Sequence, residues 1–124
     1  MNNGVPFHGE VDSSLDTAEL FTLYKAGGAT SFVLGATDQI VITDLVMMAS
    51  SLATITAFED VDAGGTVTAG EVIAKHIAAT AASLWCAVRF ATVPHYCKIG
   101  VTPSLLCSGA VAHNAIIRGT VWRT

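Results

Sequence analysis

Residues 60–71, DVDAGGTVTAGE, carry the one spacing in this chain that matches a metal-binding loop. A twelve-residue calcium loop takes oxygen ligands from its odd positions and a bidentate carboxylate from its last, with glycine at the sixth for a sharp turn. Asp60 and Asp62 would supply monodentate carboxylates, Thr66 a backbone carbonyl and Glu71 the bidentate group. Gly65 falls where the turn is needed, and Val67 and Thr68 also fit. Gly64 breaks the pattern, because an Asp, Asn or Ser ligand is expected there. The preceding ATITAF (53–58) has strand alternation rather than an entering helix, and no second loop exists to pair with this one. The favoured reading is an acidic, glycine-rich turn between strands, where Asp and Gly serve the backbone. Asp60, Asp62 and Glu71 remain the metal candidates, but no metal or other cofactor is expected. On this reading the double change Asp60→Asn, Asp62→Asn leaves the melting temperature nearly unchanged, with or without chelator.

Other reactive residues form no constellation. His8, His76, His95 and His113 are far apart, with no HxH or HxxxH spacing. Cys86, Cys97 and Cys107 are odd in number and lack a CxxC pair, so they read as buried apolar thiols. There is no GxSxG and no GxxxxGK[ST], so neither a nucleophile elbow nor a P-loop is supported. Gly27 and Gly28 belong to a turn. No catalytic residue is assigned, and the chain is not expected to be an enzyme. Trp85 and Trp122 read as core or interface anchors, and Met47 and Met48 as core fillers.

The elements that would position these residues follow from composition. Apolar residues make up 52% of the 124 positions and charged residues only 13%, with a mean hydropathy of +0.56. A typical soluble domain is about 25% charged. This excludes a disordered chain and implies apolar surface that partners cover. The length suits one domain. The uncharged run at 45–58 is shorter than the roughly 20 residues a membrane helix needs. The polar, acidic start does not read as a secretory signal, so no export and no membrane partner are expected. All ten acids lie in residues 1–71 with only Lys25 as a base, while the other five bases lie in 72–124. Strands from the two halves are expected to interleave, or the charges to steer docking between subunits. The bases are scattered and the net charge is −4, which argues against a nucleic-acid partner.

Short β-branched and alternating runs fill residues 20–124. LFTLYK (20–25), SFVL (31–34), DQIVITDLVMM (38–48), ATITAF (53–58), SLWCAVRF (83–90), KIGV (98–101), SLLCS (104–108) and VAHNAIIRGTVWR (111–123) read as strands. Residues 71–82 fit either a short alanine-rich helix or a strand, VIAKHIA. About eight strands predict an all-β fold, an eight-stranded jelly-roll sandwich. Residues 1–19 show no sustained apolar period and read as an extended acidic N-terminal arm without a core role, leaving 20–124 as the jelly-roll domain.

Four stretches carry a family resemblance across residues 20–124. These are IVITDLVMMASSLATITAF, the loop EDVDAGG, SLWCAVRF, and the closing LLCSGAVAHNAIIRGTVWRT with its G-x-V-x-R end. In order and pattern they resemble the small jelly-roll decoration, or cement, proteins of tailed-bacteriophage capsids. The resemblance implies a homotrimer that binds the outer capsid surface and holds the lattice of the major capsid protein, made in the host cytoplasm and located in the virion. Ile116 and Trp122 are then the candidate trimer contacts. Val5, Phe7, Val11 and Leu15, with the carboxylates of Glu10, Asp12, Asp16 and Glu19, are the candidate capsid contacts of the arm. Two other readings remain open: a trimeric receptor-binding or fibre-head module, and a calcium-binding module using the 60–71 loop.

Overall fold

The computed structural model describes residues 3–25, 27–62, 64–67, 71–80, 84–90 and 92–123. Eleven strands are present among them, and no α-helix. They are β1 (Asn3–Ser13), β2 (Glu19–Leu20), β3 (Thr22–Lys25), β4 (Ser31–Phe32), β5 (Gln39–Ala49), β6 (Ala53–Phe58), β7 (Val72–Ala78), β8 (Trp85–Arg89), β9 (His95–Tyr96), β10 (Ser104–Cys107) and β11 (His113–Arg123). One sheet runs β4-β3-β1-β11-β5-β8, with β9 also on β5, and the other runs β2-β10-β6-β7. With the β3–β4 hairpin and β9 set aside, eight strands remain. In their own chain order the sheets read first–eighth–third–sixth and second–seventh–fourth–fifth, which is the double Greek key of a jelly roll. The fold is the all-β jelly-roll sandwich that the strand pattern predicts.

The core lies between the sheets. Phe7, Val11, Leu23, Ile40, Ile42, Leu45, Met47, Ala115, Ile117 and Val121 come from the larger sheet and meet Ile55, Ala57, Leu105 and Cys107 from the smaller. Each fully buried aliphatic or aromatic side chain contributes about 1.5–3 kcal/mol. β11 holds strict alternation, with Ala115, Ile117 and Val121 inward. β5 does not. Ile40 and Ile42 face the core, and then so do Leu45, Met47 and Ala49. Between them the register slips, so that Arg118 opposes Asp44 while Gly119 opposes Ile42. Thr43 is the extra residue of this bulge, and its hydroxyl donates to the Arg118 carbonyl at 3.2 Å.

The N-terminal arm is the main correction. Residues 3–13 form β1, paired with β11 along its whole length and with β3 on its other side. Phe7 and Val11 are 3% and 4% exposed. The odd positions Val5, Phe7, Gly9 and Val11 alternate with Pro6, His8, Glu10 and Asp12, so the segment buries one face like any half-buried strand. The boundary at residue 19 therefore does not separate an arm from a domain. Residues 72–78 are strand rather than helix, because β6 offers them a complete pairing edge. KIGV (98–101) is not a strand: it turns at Gly100, and the short strand β9 precedes it.

Candidate functional site

Three groups of residues could act on something outside the fold, and the strands decide where each one points.

The first is the outer face of the larger sheet. The register lines up Asp12, Asn114, Met48 and Trp85 across four strands. Beside that row lie Glu10, Ile116, Val46 and Ala87, then His8, Arg118, Asp44 and Arg89. Trp85 on the edge strand β8 is 61% exposed, Met48 41% and Ile116 39%, and together they form an apolar patch on this face. Glu10 and Asp12 make it acidic along β1, and in the third row Arg118 and Arg89 lie on either side of Asp44. Arg89 also pairs with Asp44 at 3.1 Å, which joins the acid-rich and base-rich parts of the sequence across neighbouring strands. Of the expected trimer contacts, Ile116 sits at the centre of this face. Trp122 lies at the far end of the same face, over Gly4, with its indole N–H donating to Thr120 at 3.1 Å. Trp85 faces out, as an interface anchor would. Met48 does too, and so is not a core filler. Met48 was legible as outward only once the β5 bulge had fixed the parity, whereas the alternation of β8 already sets Trp85 opposite Cys86 and Val88.

The expected capsid contacts scatter. Phe7 and Val11 are buried between the sheets and Val5 is half-buried, so these side chains serve the core. Glu10 and Asp12 lie exposed on the outer face. Leu15 and Asp16 are exposed in the β1–β2 connection, and Glu19 accepts a 2.6 Å hydrogen bond from the Ser13 hydroxyl.

The second group is the acidic loop between β6 and β7. The Gly64 N–H donates to Asp60 and to Asp62, both at 3.1 Å, and the Gly65 N–H donates to Asp60 at 2.9 Å. Gly65 has φ +73°, a left-handed turn that suits a residue without Cβ. The Gly64 N–H bond, and then the contact with Asp60, hold the Asp62 carboxyl below its usual range. This is the turn-forming role expected of the two aspartates. The loop also brings in Glu71, whose carboxylate lies with those of Asp60 and Asp62 in a cluster whose nearest oxygens are within 4.8 Å of one another.

The third group, Glu59, His95 and Cys97, was not visible in the sequence; its only trace is the i, i+2 spacing of His95 and Cys97. Glu59 is buried. Its carboxylate contacts His95 Nε2 at 3.3 Å and accepts the Lys98 backbone N–H. Cys97 is 1% exposed, and burial, followed by the Glu59 charge, pushes its thiol above the usual range. Cys107 is buried as well and Cys86 half-buried, all three as free thiols. Both oxygens of Glu59 are engaged, so this group ties the end of β6 to the β9 segment.

No protein-family model and no curated relative matches the chain. What the fold and its surfaces define is a jelly-roll sandwich whose outer sheet face exposes apolar side chains among charges of both signs. Among solved structures, the chain is similar to one in the virus-like particle of the extra small virus (XSV) of the giant freshwater prawn Macrobrachium rosenbergii, determined by cryo-EM. The match covers 99% of this chain and 80% of that one at 9% identity, with a TM-score of 0.47.

Proposed function

We propose that this chain is a structural virion protein that works by packing, with the outer face of its larger sheet as the contact surface. The observation that carries the reading is the row Asn114–Met48–Trp85 beside Ile116, Val46 and Ala87. It groups large exposed apolar side chains over β11, β5 and the edge strand β8, next to a row that carries Arg118, Asp44 and Arg89. An exposed apolar patch rimmed by polar residues marks a protein interface. The low charged fraction, 13%, fits a chain whose surface is covered in its working state. The face also carries both signs, with Glu10 and Asp12 on β1 and Asp44 on β5 alternating with Arg118 on β11 and Arg89 on β8. A head-to-tail contact that matches acid to base closes into a ring when the rotation allows, and a homotrimer is the ring we assign. The chain then decorates an outer capsid surface, with the major capsid protein as its second partner. With β1 built into the sheet, Glu10 and Asp12 serve that contact from the sheet face rather than from a free arm.

The test is binding of the purified protein to empty capsids. We expect co-sedimentation that weakens when Trp85 and Ile116 are both changed to Ser, with the strand fold retained by circular dichroism. Undiminished binding by that variant would remove the outer face from the contact.

A further inference from the structure

We propose that the β6–β7 loop binds one calcium ion through the carboxylates of Asp60, Asp62 and Glu71. The acidic cluster alone would not carry this, since Asp60 and Asp62 are already employed in turning the chain. Glu71 is what carries it. The residue is only 9% exposed, so it is nine-tenths buried. One of its oxygens, Oε2, accepts the Val61 N–H at 3.2 Å, but the other, Oε1, is buried with no hydrogen-bond partner among the described residues. Leaving a buried charged acceptor unsatisfied is costly, and such groups are paired or coordinate metals. No lysine or arginine among the described residues pairs with Asp60, Asp62 or Glu71. The buried carboxylate therefore faces two further negative charges across the loop.

The dimensions suit a hard divalent cation. Oxygens bound to calcium lie about 2.3–2.6 Å from the ion, so two ligands on one ion can be up to about 5 Å apart. The three carboxylates offer oxygens within 4.8 Å of one another, inside that span. The N–H bonds to Asp60 and Asp62 do not exhaust their oxygens, since each carboxylate has about four lone-pair sites. Residues 60, 62 and 71 are also the first, third and twelfth positions of the calcium-loop spacing. Glu59, His95 and Cys97 make the weaker metal candidate. Glu59 is already satisfied by His95 and the Lys98 N–H, which leaves neither of its oxygens free for an ion.

Two measurements on the full chain test the proposal. Isothermal titration with calcium chloride is expected to show one ion per chain. In about 10 mM calcium chloride, above the weak end of calcium-loop affinities, the melting temperature is expected to rise by roughly 5–10 °C over sodium chloride of equal ionic strength. Magnesium chloride is expected to give a smaller rise, because that ion demands a tighter octahedron and sheds water reluctantly. Glu71→Gln removes the buried charge while keeping the shape. It is expected to fold without calcium as well as the unmodified chain does and to lose the calcium-dependent rise, and Asp62→Asn should lose most of it. A merely structural Glu71 would instead lose stability in the glutamine variant whether or not calcium is present. The proposal is overturned if the unmodified chain shows neither binding heat nor a rise above the sodium control. It is equally overturned if Glu71→Gln responds to calcium as fully as the original.

Discussion

Gly119 faces the β5 bulge, and a Cβ built there would run into the Val41 carbonyl oxygen and crowd the Ile42 backbone. Neither neighbour is the loose end of a side chain, so the β5–β11 ladder itself would have to part. Gly119→Ala is expected to cost more than about 3 kcal/mol, beyond the ordinary range for a point change. A urea midpoint shifted by less than a third of that would show that the bulge yields. The thiols give a second residue-level expectation. Cys97 is held protonated in the folded chain by burial and by the Glu59 charge, whereas an unfolded thiol ionises near 8.5. Its folded pKa is raised, so its contribution to stability is complete below about pH 8.5 and is lost as pH rises further, at about 1.4 kcal/mol per unit. The alkaline limb of the stability curve should flatten in Cys97→Ala. A disulfide-exchange reagent should label at most Cys86 in the native protein and all three cysteines in guanidinium. Fast native labelling of Cys97 would contradict the burial.

At the scale of elements, β1 shows what one sequence does and does not reveal. Its alternation is present, but Gly4, Pro6 and Gly9 thin it and the acids at 10 and 12 suggest solvent. The side chains that complete its case lie in β11 and β3, far away in the chain. Pairing partners of that separation are invisible to a local window. Runs such as ATITAF and HNAIIRGTVWR were legible because each carries its own two-residue period. The same locality explains residues 71–82, where the sequence left a helix and a strand open and the edge of β6 decided for a strand over 72–78. The β5 bulge was hidden for a related reason: a one-residue slip reverses every later side chain, and nothing in QIVITDLVMMA marks Thr43. In the loop, the sequence supplied the three candidate metal positions but not the burial of Glu71, which depends on the packing around it. β1 makes a direct prediction. Phe7→Ala should destabilise the fold by about 3–5 kcal/mol, as a large core truncation does. Removing residues 1–13 should prevent folding rather than release a tail, as judged by circular dichroism. A truncated chain with native strand content would return β1 to the role of an arm.

At the scale of the whole molecule, the sheets divide the work. The inner faces hold the fold together, and the loop between β6 and β7 gathers charge at one end. The outer face of the larger sheet is left with Met48, Trp85 and Ile116 exposed among charges of both signs. The strands that carry the acids, β1 and β5, sit beside β11 and β8, which carry the bases, so the uneven charge of the sequence becomes a patterned surface in the fold. Solvent-exposed pairs across a subunit contact are screened within about 8–10 Å at physiological salt, so assembly should weaken, though not vanish, as salt rises. The most direct measurement is the molar mass of the purified chain by light scattering at micromolar concentration, beside that of a variant with Trp85→Ser and Ile116→Ser. The account predicts three copies of the chain for the original and one for the variant, with both giving the same strand spectrum. A folded monomer for the original chain, both in solution and on capsids, would contradict it.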